Sequence, residues 1–250
     1  MQKFLKVFVF FAGILLFWFC SSAPKNAVQI RTNIHSIYLK ISENQSPICY
    51  FEALMKKNQL VEIQTLIPDI HVDLKYSHVD NFMGFNMYGC LTKAYLLPHV
   101  TQQLANCQNY LKELHPGYSL IVYDAARPLQ VQRIMWDSLD LPAHEKIKYL
   151  SNPWLGSLHN YGAAVDVSIL DETGNPLDMG TPFDYIGEES HPSLEVFMVQ
   201  QGKLTKEHVE NRQLLRSVMR KGGFWGIPAE WWHFNAMTRE YASEHFKLIQ

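Results

Sequence analysis

The chain carries no excess of either charge: 22 Lys and Arg stand against 24 Asp and Glu in 250 residues, a net of -2 at pH 7. It also has no long basic run, so it lacks the electrostatic footprint of a nucleic-acid-binding protein. Internal repeats and low-complexity tracts are absent, which excludes a solenoid or a mainly disordered chain. Cysteine is scarce. Cys20, Cys49, Cys90 and Cys107 are the whole set, and none has the spacing of a zinc knuckle. A metal site, if there is one, must be built from histidine and carboxylate. What remains is an ordinary globular composition, 47% hydrophobic and 18% charged, in a length that supports one well-buried domain with an extension.

The first residues depart from that average. Lys3 and Lys6 lead into an apolar run from Val7 to Phe19, followed by the small residues Ser21, Ser22 and Ala23. Basic start, short apolar core and small-residue exit describe a secretory signal peptide over residues 1–22, with export to the periplasm as the expected destination. The alternative is an uncleaved anchor, the one route to a membrane association. The uninterrupted run is shorter than the roughly 20 residues of a spanning helix. Phe17-Trp18-Phe19 before Cys20 is a poor lipoprotein signal. In an oxidising compartment one disulfide can form among Cys49, Cys90 and Cys107, leaving one thiol, and the sequence does not choose the pair.

Residues 23–60 are weakly patterned and are expected to form an N-terminal extension, with the domain proper over 61–250. Short strands are expected at Val61–Ile63 and Ile70–Leu74, with turns around Asn81–Gly84 and Met87–Gly89. Leu97, Val100, Leu104, Cys107 and Leu111 recur at helical spacing within 96–114, and His115-Pro116-Gly117 ends that helix. Ser119–Tyr123 reads as a buried strand that exits sharply at Asp124-Ala125-Ala126-Arg127-Pro128. A second helix is expected over 129–139 and a third over 207–221. Between them, Ala164–Ile169 alternates, with Val165, Val167 and Ile169 on one face and Asp166 and Ser168 on the other. A last strand is expected over Glu230–Phe234. Strands and helices intermix without a regular βα alternation, so the class is α+β.

Two segments carry the chemistry. Ser157-Leu158-His159-Asn160-Tyr161-Gly162-Ala163-Ala164-Val165-Asp166 supplies a histidine and an aspartate seven apart; Glu230-Trp231-Trp232-His233 supplies a second histidine and a further carboxylate. Two imidazoles and one carboxylate are the three-ligand set of a catalytic zinc with an open fourth position. Gly162 permits a tight turn that folds His159 over the strand bearing Asp166. Glu230 is the candidate base, but residues three apart on a regular strand face opposite ways. Glu230 and His233 therefore converge only if the chain bends between them or Glu230 lies in the loop after Pro228; otherwise it is a surface glutamate. Arg127, at the strand exit, either faces a cleft and stabilises a developing oxyanion or forms a structural ion pair with Asp124.

Ser-x-His-x-x-Gly-x-Ala-x-Asp followed by Glu-x-x-His resembles the zinc peptidases of the hedgehog and D-Ala-D-Ala peptidase fold. The chain is more closely similar to D-alanyl-D-alanine dipeptidases of the vancomycin-resistance type. The closer match runs through Lys75-Tyr76, Asp80–Gly84, Asp124–Pro128, Met179–Asp184, Asn211-Arg212-Gln213-Leu214-Leu215-Arg216 and Glu230–His233, and covers roughly residues 65–240. The resemblance implies a central antiparallel sheet flanked by helices and one zinc on His159, Asp166 and His233. It implies Glu230 as general base and then acid, and Arg127 at the oxyanion. Tyr76, Ser157 and Asp184 match positions that hold the dipeptide, and Asp184 suits an ammonium. The expected reaction is hydrolysis of free D-Ala-D-Ala in a small closed pocket. A zinc D,D-carboxypeptidase acting on peptidoglycan stems uses the same metal chemistry, and a non-catalytic zinc-stabilised binding module is the rival of another class. Oligomeric state and physiological role are not legible in the residues.

Overall fold

A computed structural model describes residues 49–147 and 150–250. The expected signal segment and most of the expected extension lie outside the described residues. Helix α1 (Tyr50–Lys57) falls within that extension, yet it buries Phe51, Leu54 and Met55 in the core. Cys49, just ahead of it, is disulfide-bonded to Cys90, and Cys107 is the buried free thiol. The folded part therefore begins ahead of residue 61. A helix this short shows too few repeats for its periodicity to stand out in a mixed segment.

Strand β1 (Val61–Glu62) pairs antiparallel with β3 (Tyr95–Leu96), and a short helix α2 (Ile63–Leu66) takes up Ile63, which was expected to extend the strand. The main sheet has five strands in the order β2-β4-β5-β7-β6. They are β2 (His71–Val72), β4 (Ser119–Asp124), β5 (Ala164–Leu170), β6 (Trp225–Gly226) and β7 (His233–Asn235). The class is α+β, as the intermixed pattern implies. The sheet is antiparallel except at its edge, where β2 runs parallel to β4. All seven residues of β5 are buried, as befits a central strand covered on both faces.

Helix α3 (Pro98–Leu114) begins at a proline, whose fixed φ and missing N–H suit the first helical position. It buries Val100, Leu104, Cys107 and Leu111, the stripe its spacing announces, against β4 and helix α7 (Lys206–Lys221). Each such side chain contributes roughly 1.5–3 kcal/mol of burial. Helix α4 (Leu129–Ser138) follows Pro128, and the small helices α5 (Ala143–Lys146), α6 (Glu195–Gln200) and α8 (Arg239–His245) complete the described set. Among the described residues no helix is long and apolar enough to cross a membrane.

The last strand differs most from expectation. It covers His233–Asn235, while Glu230, Trp231 and Trp232 form the loop after Pro228. That resolves the directional problem, because an irregular lead-in is free of the alternation that would separate Glu230 from His233.

Candidate active site

Strand register builds the floor of the site. Asp124 on β4 stands opposite Asp166 on β5, and Asp166 stands opposite His233 on β7. An irregularity in the β4–β5 pairing between Val122 and Asp124 re-aims the end of β4, a common device beside functional sites. His159 comes from a 3-10 turn, Leu158–Tyr161, that lies over this row. Ser157 and Asn160 cap that turn reciprocally: the Ser157 Oγ accepts from the His159 N–H at 3.1 Å, and the Asn160 Oδ1 accepts from the Ser157 N–H at 2.7 Å. Gly162 closes the turn at φ 68°, where a side chain would be strained and would press on Leu60.

His159 Nε2, His233 Nδ1 and an Asp166 oxygen all lie within 4.8 Å of one another. The separations are 3.1 Å between the two nitrogens, 3.0 Å from His233 to Asp166 Oδ1 and 3.4 Å from His159 to the same oxygen. Tetrahedral donors at about 2.1 Å from a zinc stand roughly 3.4 Å apart. The outer faces of both rings explain why these nitrogens are donors to a cation. His159 Nδ1 lies 2.7 Å from the Ala125 carbonyl, and His233 Nε2 lies 2.8 Å from Asn235 Oδ1. Each contact places the ring proton on the far nitrogen, so both lone pairs aim at one point beside a carboxylate. The donor set fits a zinc ion.

The electrostatics agree. Burial pushes the Asp166 carboxyl up, but His159 and His233 outweigh it and hold the group well below the usual carboxylate range. Burial pulls His233 down, yet its hydrogen bond to Asp166 and that carboxylate's charge raise it to about 9. Without a metal, the cluster collects a proton.

Arg127 is buried, forms the ion pair with Asp124 and also lines the cavity. Its Nε and Nη2 donate to Asp124 Oδ2 at 2.9 and 2.6 Å, Nη1 donates to Gln132 Oε1 at 2.7 Å, and Nη2 lies 3.9 Å from Asp166 Oδ2. The Tyr88 hydroxyl donates to the other oxygen of Asp124. Burial lowers the guanidinium, but Asp124, Tyr76, Tyr88 and Asp166 together outweigh it and hold the cation well above its ordinary value. The ion pair orients an arginine that also lines the cavity.

Tyr76 and Asp184 meet in the same cavity. The Tyr76 hydroxyl donates to Asp184 Oδ1 at 3.1 Å, and the Arg127 guanidinium lies over the Tyr76 ring at 5.0 Å. Asp184 Oδ2 is buried and has no hydrogen-bond partner among the described residues. Burial and the nearby Asp166 charge push the Asp184 carboxyl well above the usual range, so its ionised form is favoured only when a cation stands beside it. Glu230 lines the same cavity, with Oε2 at 3.9 Å from His233 Nδ1, and burial raises its carboxyl. Ser157 lines it as well. The cavity encloses about 540 Å³, which makes it neither small nor closed to solvent as expected.

Residues 56–250 match the D-Ala-D-Ala dipeptidases of peptidase family M15. The chain belongs to that family. It is 35% identical to the D-alanyl-D-alanine dipeptidase of Escherichia coli K12 over 176 residues, covering 70% of this chain and 83% of that protein. The Synechocystis D-alanyl-D-alanine dipeptidase is 29% identical over 58% of this chain and 70% of its own length. For that of Enterococcus faecium the figures are 26%, 74% and 94%. The chain is thus a member of a hydrolase family, and the residues expected to be its ligands, base and arginine meet in one cavity.

Sequence reading overlooked three residues there. Asp124 was weighed only as an ion-pair partner, yet it sits behind both Arg127 and His159, 3.5 Å from His159 Nδ1. Gln132, on α4 shortly after Arg127, had no visible role, and Asn235 fell just past the end of the expected strand. For Asn235 the signal was present: a polar amide two residues past a candidate ligand histidine lies on the same face of a strand.

Proposed function

We propose that this protein hydrolyses free D-Ala-D-Ala to two D-alanines, with zinc on His159, Asp166 and His233 and with Glu230 as the general base. One observation carries the reading: lone pairs aimed at a metal position share a cavity with an unpartnered carboxylate oxygen of Asp184. Zinc bound there supplies Lewis acidity at the peptide carbonyl and acidifies a water, whose pKa falls to about 7 in such sites. The chain's own groups do the rest. Glu230 takes the proton of the attacking water and delivers it to the leaving nitrogen as the C–N bond breaks. Arg127, held by Asp124 and Gln132, faces the negative charge that grows on the carbonyl oxygen. Asp184, steadied by Tyr76, receives the substrate ammonium. Ser157 caps the His159 turn and offers its cavity-facing side to the dipeptide.

A volume of 540 Å³ exceeds what a dipeptide fills, so space alone does not disfavour the carboxypeptidase reading. The buried Oδ2 of Asp184 does, because an acylated amine leaves that oxygen without a partner. Export is supported by the Cys49–Cys90 disulfide, which belongs to an oxidising compartment such as the periplasm. The test is hydrolysis of free and N-acylated D-Ala-D-Ala, with and without a chelator. Cleavage of the free dipeptide alone, abolished by chelation and restored by zinc, is expected. Equal cleavage of the acylated form would favour the carboxypeptidase, and no cleavage of either would favour a binding module.

A further inference from the structure

The Asn211-Arg212-Gln213-Leu214-Leu215-Arg216 segment lies on α7, and its residues do not line the catalytic cavity. Arg212 is nonetheless fully buried. Its Nε donates to the Met179 carbonyl at 2.7 Å and its Nη2 to the Glu189 carbonyl at 2.9 Å. Those carbonyls bracket an irregular stretch that carries Asp184 midway along it. Asp184 itself sits at φ 61°, a left-handed conformation that a residue with a Cβ adopts only when its surroundings impose it.

Other contacts grip the same segment. Asn211 Nδ2 donates to the Asp178 carbonyl at 2.8 Å, one residue before the stretch begins. Ser190 Oγ donates to the Tyr185 carbonyl at 2.8 Å. Trp231, next to Glu230, donates from Nε1 to Thr181 Oγ1 at 2.8 Å, and the Arg212 guanidinium lies 5.9 Å from the Trp231 ring centre. Glu195, whose Oε1 is 3.6 Å from Arg212 Nη1, faces the buried charge and is shared with Arg216. A planar fork reaching two carbonyls at once fixes the span between them, which an ammonium on a flexible stem does not.

We infer that Arg212 is a positioning residue for substrate binding: by tying both ends of the Met179–Glu189 segment to α7, it holds Asp184 where the dipeptide ammonium docks. This rests on the functional reading above. Arg212 touches neither the metal ligands nor Glu230, so its loss should fall on substrate affinity and leave the chemical step intact.

The test measures kcat and KM on free D-Ala-D-Ala, zinc content and melting temperature for Arg212→Lys, with Asn211→Ala as a milder variant that folds if the first does not. Expected for Arg212→Lys is a KM raised about tenfold with kcat within about threefold of wild type, and full zinc content. Asn211→Ala should raise KM by about two- to threefold in the same pattern. A lower melting temperature with KM unchanged in the variants that fold would overturn the inference, as would kcat falling with KM constant. Wild-type protein that does not cleave D-Ala-D-Ala would defeat the functional reading. Wild-type cleavage with unmoved KM in both variants defeats only the role of Arg212.

Discussion

Among the described residues, the charge clusters around Glu195 and around Asp166 differ in what their polar atoms face. Around Glu195, the bidentate contacts from Arg216 at 2.7 and 2.8 Å and the nearby Arg212 turn the charges toward one another. Around Asp166, the imidazole lone pairs and an aspartate oxygen turn toward a cavity, and Asp184 presents an oxygen that no described residue satisfies. In the first cluster one carboxylate faces two guanidiniums away from the cavity; in the second the donors and the free oxygen face the cavity itself. Buried ion pairs are common structural features, so burial of charge alone does not mark a site. Convergence of unsatisfied donors and acceptors on one open space does.

The sharpest way to break this contrast is His159→Ala. Removing one of three ligands should abolish zinc binding and with it measurable hydrolysis, while circular dichroism shows the fold retained; zinc still bound in stoichiometric amount would remove His159 from the set. Next comes Glu230→Gln, which should keep zinc and lower kcat by about 10²–10⁴-fold. Near-normal turnover in that variant would take Glu230 out of the mechanism.

Arg216→Met tests the cluster around Glu195. It should cost about 2 kcal/mol of stability, because Glu195 loses two charge-assisted hydrogen bonds. Hydrolysis at 25 °C should hold within about a factor of two, since Arg216 does not line the cavity that holds the metal donors. A large loss of kcat would show that the two clusters are coupled.

The chelated protein offers a subtler comparison across pH. With His233 raised to about 9 in the folded state, its protonation adds stability in full below the unfolded value of about 6.5. That contribution is lost as pH rises through about 9. The melting temperature of the chelated form should therefore fall between pH 6.5 and 9, while the zinc-loaded form, whose imidazoles are deprotonated by the metal, should not follow it. Parallel curves would show that the cluster holds no extra proton. The smallest effect concerns Cys107, whose thiol burial pushes up to about 12. At pH 8 it should resist thiol reagents until the protein is unfolded, and prompt labelling would show that the α3–α7 packing opens.

Much of the fold was readable from local pattern. The stripe on α3, the alternation on β5 and the break after residue 114 are visible because period and turn chemistry act over a few residues. Helix α1 and the start of the domain were not, since a short helix is held by what it packs against and by a disulfide that spans 41 residues. The ligand histidines and Asp166 were named from residue type and spacing. Asp124, Gln132 and Asn235 were not, because each acts through a partner that only the folded chain brings near.

The amino-acid order alone settled which donor types are available, that cysteine is not among them, that Gly162 permits the turn under His159, and which face of β5 is polar. These properties live within a few consecutive residues, so backbone sterics and side-chain alternation are enough. Tertiary structure decided that Asp124, Asp166 and His233 stand in one row, that Glu230 leaves the strand and faces His233, and that both ring protons point away from the shared centre. Strand register and hydrogen bonds between distant segments set those features, and no local pattern encodes them.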